Sequence, residues 1–170
     1  MLNKLSYLWM SIGVLLLQVF LLDQLSIAMW LRPMIFPIVV LLLPMEWPKI
    51  WVMAVSLAAG LTIDLSLGGA GLYTATLLPL SLIRPWVLYV TVGRSVEHGD
   101  QTALFRRMRL QQLMIYVAAM LLIHHTLFFV LETLSWSHPF QLIATILSSM
   151  LLSLVIVWPI VRLFTSKIVG

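Results

Sequence analysis

The sequence predicts an all-α membrane protein, a bundle of six transmembrane helices. Three observations carry that expectation. Of 170 residues, 62% are hydrophobic. Only 9% are Asp, Glu, Lys or Arg, against about 25% in an average soluble domain. The apolar runs recur along the whole chain from Leu5 to Phe164. A water-facing surface cannot be assembled from so few charges, so most of the chain must have lipid or protein as its solvent.

Each span is bounded by local chemistry. The first covers 5–22 and stops at Asp23-Gln24. It begins like a signal peptide, with Lys4 ahead of an apolar run and Ser26-Ile27-Ala28 as a small-x-small site. Its apolar stretch nevertheless exceeds the usual run of about 7–15 residues, which argues for a retained span. The second is 31–45, with its apolar run at Leu31–Leu43 and prolines at 33, 37 and 44. A helix of that length reaches only about 20 Å across a core of about 30 Å, so it reads as a thin crossing or a re-entrant piece. The third, 50–67, meets the turn Gly68-Gly69-Ala70-Gly71. The fourth, 72–92, is expected to be interrupted at Arg84-Pro85. The fifth is 110–131. The sixth, 140–164, follows Pro139, a residue suited to the first turn of a helix. No linker is long enough to separate two domains, so residues 1–170 form one membrane domain.

The formal net charge of +4 reads as topology rather than as a nucleic-acid footprint. Six crossings with a cytoplasmic N-terminus put Lys4, Lys49, Arg94, Arg106, Arg107, Arg109, Arg162 and Lys167 inside. Only Arg32 falls outside, and Arg84 lies within a span. Five crossings with an external N-terminus satisfy the positive-inside rule equally well, because they exchange Lys4 for Arg32. Trp47, Trp51, Trp136 and Trp158 sit near span ends, as interfacial aromatics do.

Ionisable groups inside spans are the first candidates for function, because inserting each costs several kcal/mol, roughly 2.5–3.5 on insertion scales. They are Asp64, Arg84, His124 and His125. Asp64 and Arg84 differ in depth by roughly 13 Å at helical rise, which argues against a direct ion pair. Arg84 is expected to bond carbonyls freed by Pro85 or to reach the interface. Asp64 matches His124 better in depth. Asp64, Arg84, His124 and His125 serve as partner-binding or structural polar groups in this reading, with a proton-relay or substrate role as the alternative for Asp64.

Other chemistry finds little support. The chain has no cysteine, so Cys-ligated zinc and thiol nucleophiles are excluded. Adjacent His124 and His125 point about 100° apart on a helix and do not readily share a metal ion. Gly68, Gly69 and Gly71 lack the Lys-Ser/Thr ending of a phosphate loop and read as a tight turn. Gly60 permits close helix packing. No Gly-x-Ser-x-Gly motif is present. Arg94, Arg106, Arg107 and Arg109 form a basic loop facing anionic lipid or a cytoplasmic partner.

Taken in order, several local patterns resemble the MreD family, the rod shape-determining membrane proteins of bacteria. They are Leu17–Asp23 followed by Pro33 and Pro37; Leu41-Leu42-Leu43-Pro44; and Gly60-Leu61-Thr62-Ile63-Asp64-Leu65. Then come Gly71-Leu72-Tyr73-Thr74-Ala75, Ile83-Arg84-Pro85 and His124-His125-Thr126-Leu127-Phe128-Phe129. The family's Gly, Asp, Thr and Arg-Pro positions match here as Gly60, Asp64, Gly71, Thr74, Arg84 and Pro85.

The resemblance implies a six-helix bundle similar to the substrate-binding subunits of energy-coupling-factor transporters. It implies no enzymatic activity, no cofactor, and residence in the bacterial cytoplasmic membrane. It implies MreC as direct partner, with MreB filaments, the RodA glycosyltransferase and its transpeptidase acting alongside in lateral peptidoglycan synthesis. The alternative from another class is a vitamin-type transporter subunit binding a ligand among Gln18, Asp64, Arg84 and His124. The first span lacks the Ala-x-x-x-Ala docking pattern of such subunits. An intramembrane hydrolase is the third possibility and has no motif behind it.

Overall fold

A computed structural model describes residues 4–22, 31–44, 47–93, 108–133 and 138–169. Over these residues the chain is helical and has no β-strand. The helices are α1 (Lys4–Leu17), α2 (Ile38–Leu41), α3 (Lys49–Leu67), α4 (Leu72–Val92), α5 (Leu110–Thr133) and α6 (Pro139–Val169). Helices α3 to α6 contain four stretches long and apolar enough to cross a membrane. They pack in chain order, α3 on α4, α4 on α5 and α5 on α6.

The surface is inverted relative to a water-soluble protein. Leu65, Val155 and Phe140 are 85%, 70% and 87% exposed, while Gln18, Asp64, Arg84, His124, His125, Ser149 and Ser153 are buried. An outer surface of this kind is matched to hydrocarbon.

The second segment departs from expectation. Only Ile38–Leu41 is helical, a single turn. Prolines explain this. Pro33 and Pro37 supply no N–H to a helical ladder and crowd the preceding turn, and Pro44 disfavours helical backbone in the residue before it. Residues Met34 to Leu43 are nevertheless all buried, with Ile35, Phe36, Ile38, Val40 and Leu41 fully so. The segment is a wedge inside the bundle, touching α1, α3 and α4.

Its register along α5 follows from its contacts. Arg32 pairs with Glu132 near the end of α5, the Phe36 ring meets His124 edge-on at 4.9 Å, and the Leu41 carbonyl accepts from Tyr116. From Glu132 to Tyr116 is about 24 Å at helical rise. The wedge thus runs the opposite way to α5 over most of the length of that helix.

The wedge is held by side chains where helical bonds are missing. Gln18 accepts from the Ile35 amide at 2.7 Å and donates to the Pro33 carbonyl at 3.3 Å. Ser149 and Ser153 on α6 accept from the amides of Arg32 and Met34 at 3.2 and 2.9 Å. Gln18 opens a π-helical turn, Gln18–Leu22, that continues α1 and contacts α3.

The expected interruption of α4 does not occur. The helix runs unbroken through Pro79 and Pro85, as neighbouring helices and hydroxyl side chains permit in membrane helices. The α3–α4 hairpin is closed by Gly68 and Gly71, both left-handed with φ of 69° and 90°. Here the turn reading of the glycines has a physical basis, since an L side chain is strained there.

Replacing Gln18 by Leu should leave the Ile35 amide and Pro33 carbonyl without partners. The expected loss is about 2–5 kcal/mol of stability, read by unfolding in mild detergent. Thr62→Val, on an exposed face of α3, should change it by less than about 0.5 kcal/mol.

Candidate functional site

The buried ionisable side chains of α3 to α5 fall into three clusters, one within the α3–α4 hairpin and two against the wedge.

Asp64 lies one turn before the end of α3. Its Oδ1 accepts from the Tyr73 amide at 3.1 Å, and its Oδ2 accepts from the Thr74 amide at 2.9 Å and the Thr74 hydroxyl at 2.6 Å. These amides belong to the first turn of α4, whose own N-cap residue, Gly71, has no side chain to offer. Asp64 therefore caps the next helix from the preceding one, with its charge at the positive end of the α4 dipole. Packing requires glycine at two nearby positions. A Cβ on Gly60 would lie 2.6 Å from Thr74 Cα, and one on Gly69 would lie 2.5 Å from Asp64 Oδ1. The structure does not join Asp64 to His124, the partner that depth suggested. The carboxylate is drawn to the unpaired amides of α4, which lie closer along the chain and cannot be left bare.

Arg84 forms the second cluster. Its Nη2 donates to the Leu43 carbonyl and its Nε to the Tyr116 hydroxyl at 3.4 Å. Tyr116 donates in turn to the Leu41 carbonyl at 3.0 Å. Arg84 does reach a main-chain carbonyl, but one in the wedge and not one that Pro85 releases in α4. The C-terminal end of the short helix α2 is the stronger acceptor, since its last carbonyls have no helical partner.

The histidines form the third. Their rings stand at 82° with centroids 5.6 Å apart and turn to different helices. The Leu121 carbonyl, 2.8 Å from His125 Nδ1, can only accept, so Nδ1 carries the hydrogen. Nε2 of His125 is 3.0 Å from Ser153 Oγ, so His125 steadies the hydroxyl that holds Met34. Thr76 donates to the Tyr73 carbonyl at 2.9 Å, leaving its lone pairs toward His124 Nε2 at 3.4 Å. Nε2 of His124 then carries the hydrogen. Its Nδ1 is the one sealed and unbonded side-chain polar atom among the described residues. Phe36 and Phe128 flank that ring.

Comparison with protein-family models, curated proteins and solved structures found no match to this chain.

The structure keeps Asp64, Arg84 and the histidines in separate clusters, and each cluster binds backbone or hydroxyl groups of this chain. Among the described residues no three His, Cys, Asp or Glu side chains converge as metal ligands would. Of the basic loop, Arg109 is exposed and its amide donates to Gln112 Oε1 at 3.0 Å at the start of α5. Arg94, Arg106 and Arg107 lie outside the described residues.

Sequence reading overlooked Tyr116, Ser149, Ser153 and Thr76. The serines had a signal, since Ser149 and Ser153 stand four apart in an apolar helix and so share one face. Tyr116 had none, because one Tyr near a span end reads as an interfacial aromatic.

Asp64→Ala should cost about 2–3 kcal/mol by removing the cap of α4, and Asp64→Asn less, because one oxygen acceptor survives. Thermal unfolding of the two variants in one detergent checks the order. His125→Phe should cost about 1–3 kcal/mol by stripping Ser153 of a partner. His124→Phe should cost less, since it also removes an unbonded nitrogen.

Proposed function

We propose that this protein is a non-catalytic membrane scaffold of the MreD type. It would sit in the bacterial cytoplasmic membrane, bind MreC and help organise lateral peptidoglycan synthesis with MreB, RodA and its transpeptidase. The observation that carries this reading is where the buried polar side chains are spent. Gln18, Asp64, Arg84, Tyr116, Ser149 and Ser153 each bond main-chain groups of this chain. Polar groups used in this way build a rigid body. Recognition is then left to the outer helix faces and short connections, as expected where lipid is the competing solvent.

The reading includes six crossings and an architecture similar to the substrate-binding subunits of energy-coupling-factor transporters. The length of the wedge along α5 favours counting it as a crossing. With that count and a cytoplasmic N-terminus, Lys49, Arg109 and Arg162 share the inner side and Arg32 lies outside beside Glu132. Placing the Arg32–Glu132 pair on the side opposite the basic residues agrees with the positive-inside rule.

Co-expression with MreC and purification in mild detergent should yield a complex of the two proteins. A clean separation with both present in the membrane would refute the scaffold reading. A vitamin panel should leave the unfolding temperature unchanged, and a shift with one compound would favour a transporter subunit instead. A reporter fused at the N-terminus should report a cytoplasmic location.

A further inference from the structure

We infer that Arg84 is the receptor for a phosphate group of an anionic phospholipid, held in a step at the basic end of the bundle. This goes beyond the scaffold reading and rests only on the chain being membrane-embedded.

The first observation is an unbalanced buried cation. Arg84 is 4% exposed. Among the described residues it forms no ion pair, the single salt bridge being Arg32–Glu132. A guanidinium carries five N–H donors. Only Nε and Nη2 have acceptors, the Tyr116 hydroxyl and the Leu43 carbonyl. Among the described residues Nη1 has no partner, and it is not one of their sealed unbonded atoms, which are limited to His124 Nδ1. That edge of the fork therefore keeps a little accessible surface. In a membrane an uncompensated guanidinium demands an anion, and its planar edge fits phosphate oxygens in pairs.

The second observation is the step itself. Gly60 on α3 lies against Thr74 on α4. Because the two helices are antiparallel across a short turn, Lys49, the first residue of α3, stands level with about residue 85 of α4. The remainder of α4 to Val92 rises about 10 Å above that level at helical rise. The wedge ends at the same height, since Leu43 is bonded to Arg84. Pro44, Trp47 and Pro48 lie outside any helix, and irregular backbone facing hydrocarbon does not occur. Lys49 is exposed beside it. The polar boundary of the bilayer must dip to this floor. Trp51 and Trp86, at 61% and 65% exposed, flank it as headgroup-level aromatics do. A lipid phosphate at that boundary is then within the span of one arginine side chain.

The test titrates the full-length protein in detergent micelles with phosphatidylglycerol, phosphatidylcholine or free glycerol phosphate and follows thermal unfolding. Phosphatidylglycerol in large excess should raise the midpoint by about 5 °C or more, and the other two should not. Arg84→Gln retains a donor for the Leu43 carbonyl and should abolish the difference between the two lipids. Tyr116→Phe loosens the same cluster but keeps the cation, so its lipid response should remain. A preference that survives Arg84→Gln, or one that Lys49→Gln removes, overturns the proposal. So does an equal response to free glycerol phosphate, or a Glu46→Gln variant that gains a response absent from the parent. Binding of MreC does not enter any of these readings.

Discussion

The fold depends on satisfying backbone that has neither water nor a helix to bond it. Between Arg32 and Leu43 the chain passes through the interior with one turn of helix. Each bare amide or carbonyl buried there costs about 1–3 kcal/mol. The surrounding elements answer with side chains: Gln18 beyond α1, Arg84 from α4, Tyr116 from α5, Ser149 and Ser153 from α6. The polar residues of the spans are distributed by that demand. Their positions also fix how four elements sit around the wedge, because a hydrogen bond has direction and an apolar contact in lipid has little.

The α3–α4 hairpin is organised by the same rule in a different way. Apolar burial gains little when the alternative is a lipid tail, so close backbone approach and polar bonds carry the association. Gly60 lets Thr74 come near, and the proximity places the Thr74 hydroxyl and amide on Asp64. Cap and contact reinforce one another, since a side chain at position 60 would push away the groups that Asp64 binds. Gly69 serves the carboxylate from the other side by leaving it space.

These arrangements bear on function through what they leave over. Groups that hold the wedge are committed to structure, and exchanging them for a substrate would release buried backbone. Two sites escape that commitment. Nδ1 of His124 is enclosed by aromatic rings, and Nη1 of Arg84 has no partner among the described residues. The first is sealed from outside. The second is the one for which a lipid phosphate is proposed.

Much of this was legible in the residues themselves. Composition and run length were enough for the four long apolar helices, because a lipid slab demands about 20 apolar residues per span whatever they pack against. The hairpin glycines were legible because left-handed backbone selects glycine by sterics alone. Three prolines in 31–45 warned of an unusual segment, but a one-turn helix within otherwise irregular, buried backbone needs outside partners that no local pattern reveals. The partners of Asp64 and Arg84 were likewise beyond reach. Depth along a helix limits which groups can meet, whereas rotation about its axis and the presence of an unfilled acceptor decide which do. Those quantities exist only once α3, α4, α5 and the wedge are packed together.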